Sequence, residues 1–326
     1  MKQSLFESRH QAEWQAFGSV LDDLEQPSRK SASPSDFSAR YRRLCNHLAL
    51  AADRGYSSHL VDTLQHLAMR GHQQLYRHRG RFLADLLGFI LAGFPRQVRA
   101  QWPFVAVAAG VFCIGLALSA ALVYRYPNLI YALVSPEQVA STESMYNPDH
   151  SRLGPAVVRL AGEDWMMFGY YVMNNIGIAF QMFAGGLLLG VGSLFYLLFN
   201  GVMIGAVAGH LTEVGYGGTF WSFVVGHSAF ELTALVLAGA AGLRLGWALI
   251  APGQLTRGKA VRDAAKISIQ LVYGVVLLLL IAAFIEAYWS SKSDIAASWK
   301  YVIGAILWLA IIAYLVLAGR STHAPD

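Results

Sequence analysis

Six apolar runs of about 20 residues, separated by polar or turn-forming breaks, constrain this chain more than anything else in it. A helical run of that length matches the hydrocarbon core of a bilayer. An ordinary soluble protein does not carry six of them within 326 residues, nor combine 55% hydrophobic with 14% charged residues. The predicted spans are 103–123, 166–189, 194–211, 220–243, 267–289 and 301–319. Residues 165–211 are almost continuously apolar. The division inside them is placed at Gly190, Val191, Gly192 and Ser193, the best turn signal there, with a re-entrant pair as the alternative. The expected fold class is all-α: a polytopic membrane protein with about six transmembrane helices in residues 102–326, behind an N-terminal cytosolic helical domain in residues 1–101.

Lysine and arginine placement predicts the orientation. Arg96 and Arg99 precede the first span, and Arg244, Arg257, Lys259, Arg262 and Lys266 follow the fourth with Asp263 as the one acid. Arg320 follows the last. The connection 124–165 is acidic instead, with Glu137, Glu143, Asp149, Glu163 and Asp164 against Arg125, Arg152 and Arg159. Six spans in a bacterial cytoplasmic membrane, with both termini cytoplasmic and 124–165 as an outer loop, satisfy this pattern. Membrane topology thus accounts for the basic pI of about 9.2, and no nucleic-acid partner is inferred from it. The start of the chain is polar, which predicts no cleavable signal peptide. Cys45 and Cys113 fall in a cytosolic helix and a span, so no mutual disulfide is expected.

Before Trp102 there are 14 Lys/Arg and 9 Asp/Glu, enough for a water-soluble segment. Leu5, Phe6, Ala12, Trp14, Phe17, Leu21 and Leu24 form one broad apolar helix face. A Pro/Ser linker covers 26–34. Ser35 or Asp36 then caps a helix running to about Arg54, with Gly55 after it, and another begins at Ser57 or Ser58 and runs toward Tyr76. His47, His59, His66, His72 and His78 form no tight metal spacing. Residues 82–98 read as an amphipathic helix on the inner membrane surface, with Arg79, Arg81, Arg96 and Arg99 near lipid phosphates. In the outer loop, 153–165 reads as an amphipathic helix leading to the second span.

Within the spans His227 and Glu231 stand out, at the i, i+4 spacing that puts both on one helix face. A carboxylate at the bilayer centre costs at least about 2.5–3.5 kcal/mol, so it calls for a partner or a task. Asn174, Asn175, Gln181, Asn200 and Arg244 complete the expected intramembrane polar core, where amides bond neighbouring helices. Gly185, Gly186, Gly201, Gly205, Gly209, Gly226 and Gly242 are the expected packing glycines, three of them at four-residue intervals. Glu286, close to Tyr288 and Trp289, is read as snorkelling to the outer interface. His210 and Glu213 echo the His/Glu pairing and are, with His227 and Glu231, weak candidates for a metal. No catalytic residues are assigned and no cofactor is expected. There is no His-Glu-x-x-His, no phosphate-binding loop ending in Lys-Ser/Thr, and no nucleophile–base arrangement.

An ordered series of these residues resembles the stage II sporulation protein M family of integral membrane proteins. The series is Asn174 with Asn175; Phe183, Ala184, Gly185 and Gly186; Asn200 with Gly201 and Gly205; and Gly226, His227 and Glu231. It continues through Gly242, Arg244, Gly246, Pro252 and Gly253. In spore formers the resemblance implies a membrane scaffold recruiting cell-wall hydrolases during engulfment. Elsewhere it implies genes neighbouring those of MoxR-type ATPases, RDD-domain membrane proteins and transglutaminase-like proteins. It makes His227, Glu231, Asn200 and Arg244 motif positions without a catalytic task.

Two classes of function follow. The first is a non-enzymatic scaffold assembling cell-envelope partners, with His227 and Glu231 locking the helix core. The second is a transporter, channel or lipid-handling protein in which that pair lines a polar cavity. Glycine faces favour a homo-oligomer in either case, a dimer first.

Overall fold

The computed structural model describes residues 2–25, 36–149, 163–292 and 294–320, without the side chains of 76–82 and 163. Every regular element among them is helical. They divide into two compact units, Met1–Gly88 and Phe89–Asp326.

The first unit holds α1 (Gln3–Glu25), α2 (Phe37–Asp53) and α3 (Ser58–Gly88). Its core follows from helical spacing: Phe6, Trp14, Phe17 and Leu21 from α1, Phe37, Leu44 and Ala51 from α2, Leu60 and Leu64 from α3. Asp36 stands just before α2 and accepts from Arg40 Nε at 2.7 Å. Gly55 lies past the end of α2 at φ +60°, where a Cβ is disfavoured. Arg70 of α3 donates to Asp22 at 2.6 Å and to Glu25 at 2.7 Å. Exposed pairs of this kind contribute at most about 1 kcal/mol, so the apolar core carries the unit. The predicted linker at 26–34 and the cap Ser35 lie outside the described residues.

His47 is expected to make this unit acid-sensitive. Its Nδ1 accepts the Trp14 indole N–H at 3.1 Å, which needs a neutral ring. Burial, and then the neighbouring His10, hold the imidazole below the usual histidine range. A group whose folded pKa is depressed binds fewer protons folded than unfolded, so the stability it supports is lost as pH falls below about 6.5. Hydrogen exchange of α1–α3 amides in the full chain, corrected for intrinsic rates, is expected to quicken between pH 7.5 and 5.5. His47→Gln, which is uncharged at both pH values, should flatten that difference.

The second unit holds α4 (Phe94–Ala100), α5 (Trp102–Arg125), the single turn α6 (Ile130–Leu133), α7 (Pro136–Tyr146), α8 (Glu163–Ala184), α9 (Val191–Glu213), α10 (Gly217–Ile250), α11 (Arg257–Ile285) and α12 (Ala297–Leu317). π-Helical turns occupy Phe89–Gly93 and Glu286–Ser290. α10 is the central helix, packed by α5, α8, α9, α11 and α12. Five described helices are long and apolar enough to cross a membrane: α5, α9, α10, α11 with its π-turn, and α12. The sixth expected span is α8. Its 22 residues reach about 33 Å, but Asn174, Asn175 and Gln181 leave it less apolar than the others.

Three sequence expectations change here. The compact membrane unit begins at Phe89, not at residue 102, because α4 packs on α11 and α12. Residues 82–98 remain helical throughout, with a π-turn at Phe89–Gly93, and the division between the two units falls within them, after Gly88. Phe94 is 1% exposed and its ring fills the space above Gly274 of α11. Arg96 Nε donates to the Gly319 carbonyl and Arg99 to that of Leu315, both at 2.7 Å, so these arginines serve the C-terminal end of α12. Finally, the break between the second and third spans falls at 185–190. Gly185–Leu187 forms a 3₁₀ turn, Leu189 takes φ 55° and Gly190 φ 81°, while Gly192 is already inside α9. The predicted helix at 153–165 is outside the described residues up to 162, and α8 begins at Glu163.

Candidate functional site

The site is built on α10, whose small residues let neighbouring helices approach its backbone. His227 is 5% exposed, and its Nε2 lies 3.8 Å from Glu231 Oε2 one turn on. That separation is too long for a hydrogen bond. The other ring nitrogen, Nδ1, shares a hydrogen bond with Ser290 Oγ at 3.1 Å. Ser290 ends the π-turn of α11, whose first residue, Glu286, is 8% exposed. One ligand atom from each of His227, Glu231 and Glu286 lies within 4.8 Å of the others. Glu286 therefore belongs to the buried core and does not snorkel. Tyr288 and Trp289 suggested an interface, but the wider π-turn, closed by i→i+5 bonding, turns the carboxylate and Ser290 together toward α10.

The surroundings hold this cluster from several helices. Lys300 of α12, 1% exposed, donates to the carbonyls of Ser290 at 2.9 Å and Lys292 at 2.5 Å. Trp308 Nε1 of α12 donates to Ser228 Oγ at 3.3 Å. The Trp289 ring lies on Gly226, where a Cβ would collide with it. The Phe223 ring stands edge-on to His227 at 5.4 Å, and Tyr146 of α7 stands edge-on to Phe223. Thr219 Oγ1 donates to the Tyr146 carbonyl at 2.5 Å, docking α7 on the start of α10. α7 itself opens with a reciprocal capping box between Ser135 and Gln138. Beside the cluster is a cavity of about 310 Å³, lined by Met203, Ile204 and Val207 of α9 and by Phe220, Val224, His227, Ser228 and Glu231 of α10.

The remaining predicted polar residues do different work. Asn175 is buried, and its Oδ1 accepts from Asn174 at 2.9 Å. Asn174 and Gln181 themselves are on the exposed side of α8. Asn200 is half-buried and donates to the Tyr196 carbonyl of its own helix at 2.8 Å. Arg244 lies over the Phe104 ring at 5.6 Å. His210 does not join Glu213, His227 and Glu231: its Nε2 meets Glu143 of α7 at 2.7 Å, and Glu213 is exposed. His10, Glu13 and His47 form a second close group in the first unit, which the sequence spacing did not signal. Within it His47 Nδ1 accepts from Trp14, and Glu13 accepts from Arg43 at 2.5 Å.

The predicted glycines sit at close approaches. Cβ atoms at Gly201, Gly205 and Gly209 would meet the Phe112, Leu116 and Ala120 carbonyls of α5. Gly185 faces Gly192, and Gly186 faces Gly242 backbone to backbone. Reasoning from sequence missed Glu286, Ser290 and Lys300. Glu286 and Lys300 carried the only available signal, two ionisable residues at span ends where snorkelling is the ordinary expectation.

Comparison with known proteins adds family-level information. Residues 104–291 match the family described as stage II sporulation protein M, and residues 4–77 match a domain of unknown function, DUF8413. The uncharacterized protein MJ0793 of Methanocaldococcus jannaschii is 26% identical over 132 residues, covering 38% of this chain and 71% of that protein. No solved structure matches the chain.

Proposed function

The chain belongs to the stage II sporulation protein M family of membrane proteins, and on that premise we propose that it is a non-enzymatic scaffold of the bacterial cytoplasmic membrane. It assembles cell-envelope partners, with cell-wall hydrolases and MoxR- or RDD-type membrane neighbours as the classes to look for. The observation that carries this reading is where the polar groups of the bundle go. His227 bonds Ser290, Ser228 bonds Trp308, Ser193 donates to the Met182 carbonyl at 2.6 Å, and Ser268 donates to that of Ala241 at 2.9 Å. Each ties one helix to another, as expected of a rigid platform.

Surfaces for partners are available in both units. The first has an open groove of about 750 Å³ between α1 and α3, with Glu7, Gln11, His59, Asp62 and His66 on its walls. In the second, α8 exposes Asn174 and Gln181 beside Met173, which is 80% exposed. Amides exposed on a helix at membrane depth favour a partner helix over lipid, which supports a homodimer through α8. The cavity beside His227 and Glu231 favours the second reading, a transporter, channel or lipid-handling protein in which that pair contacts the cargo.

Glu231→Gln separates the two. It keeps hydrogen bonding and removes the charge. A scaffold is expected to fold normally with this change and to recover the same envelope proteins by crosslinking and affinity purification from native membranes. Normal folding and partner recovery together with lost cellular function would overturn the scaffold in favour of transport.

A further inference from the structure

We propose that His227, Glu231 and Glu286 form a binding site for one divalent transition cation, with zinc the leading choice, inside the membrane unit. The proposal stands independently of the scaffold reading.

Geometry is the first support. Three potential ligand atoms, from an imidazole and two carboxylates, lie within 4.8 Å of one another on two different helices. Bonds of about 2.0–2.2 Å at tetrahedral angles place two ligands of one ion about 3.3–3.6 Å apart, so side-chain adjustments of about an ångström bring the three atoms onto one centre. The 3.8 Å between His227 Nε2 and Glu231 Oε2 is too long for a hydrogen bond and close to the separation of two ligands on one ion.

The second support is the orientation of the histidine. Metal-ligating imidazoles have their other nitrogen held by a hydrogen-bonding partner, which fixes the ring. Ser290 Oγ does this at Nδ1, leaving Nε2 on the Glu231 side. Ser290 is itself held from behind, since its carbonyl accepts from buried Lys300. The π-turn that presents Glu286 and Ser290 together is the kind of helix irregularity found at functional sites.

Charge and access complete the argument. Two carboxylates this close in a low-dielectric setting repel each other when both are ionised, and a divalent cation neutralises both at once. Imidazole with carboxylates suits zinc among the available metals, and a soft-thiolate site is not formed here because Cys113 is exposed on α5. The cavity lined by His227 and Glu231 supplies room for an ion or its water to reach the cluster.

The test uses the full chain purified in detergent without chelator. Elemental analysis is expected to find one equivalent of zinc or another divalent transition metal per chain. A strong chelator should lower the melting temperature, and added Zn²⁺ should restore it. Co²⁺-loaded protein should show ligand-field absorption characteristic of nitrogen and oxygen ligands. Glu286→Gln and Glu231→Gln, checked for helical content and monodispersity, should each lose the metal and the chelator response. Wild-type protein with no bound metal and no thermal response to Zn²⁺ or Mn²⁺ overturns the proposal. So does a folded Glu231→Gln/Glu286→Gln double variant that retains full metal content, which would place the ion elsewhere. Should the variants fail to fold, the wild-type chelation and cobalt measurements decide alone.

Discussion

Gly242→Val is expected to leave little folded membrane unit. A Cβ at this position would collide with Ser193 Oγ and lie 2.6 Å from the Met182 carbonyl and 2.9 Å from that of Phe183. Across the same contact Gly186 rests on the Gly242 backbone. The carbonyls cannot rotate away, and turning Ser193 Oγ aside would break its bond to the Met182 carbonyl. Overpacking of a core ordinarily costs about 1–3 kcal/mol, and a backbone obstacle places this change at or above the top of that range. Because α10 is the central helix, separating it here also loosens the turn at Gly190, on whose backbone Gly246 rests. Gly110→Ala is the matched control. Gly110 lies within α5 with nothing near its Cβ direction, so the substitution should be neutral or stabilise by up to about 1 kcal/mol. Yield of monodisperse protein and thermal unfolding in detergent measure both. Equal behaviour of the two variants would mean that the glycine contact is not what sets the helix spacing.

Lys300→Met should have the next largest effect. The methionine side chain fills similar space but leaves the Ser290 and Lys292 carbonyls without their donor. An unmet buried polar group costs about 1–3 kcal/mol, which the buried Ser290 carbonyl incurs, while the carbonyl of exposed Lys292 adds little. The consequence reaches beyond stability, because Ser290 also holds His227. Amide exchange across Glu286–Ser290 should rise more in this variant than exchange in the middle of α10. A variant with wild-type melting temperature and unchanged exchange at the π-turn would show that Lys300 does not support the site.

These two residues also mark how much could be read from sequence. The helical class, the membrane character and the individual apolar segments were legible because hydrocarbon thickness imposes a length and a composition on each helix separately. The His227 and Glu231 pairing was legible for the same kind of reason, since i, i+4 spacing settles a shared helix face without any partner. The glycine periodicity at 201, 205 and 209 announced a flat helix face, but not that α5 fills it. Glu286 was misjudged and Lys300 missed because a charged residue near a span end has two outcomes, outward to the interface or inward to partners. Periodicity cannot distinguish them.

By itself, the sequence determined that the chain makes membrane-length helices, which faces are smooth enough for close packing, and where one ionisable pair must be buried. These are properties of a single helix in a given solvent, set by local spacing and transfer free energy. Tertiary structure decided that Phe89–Ala100 joins the membrane unit, that His210 pairs with Glu143 rather than with His227, and that Glu286 completes the central cluster. Each of those outcomes depends on the register of one helix against another and on one π-turn that rotates the end of α11, and register between helices is fixed only when the whole bundle packs.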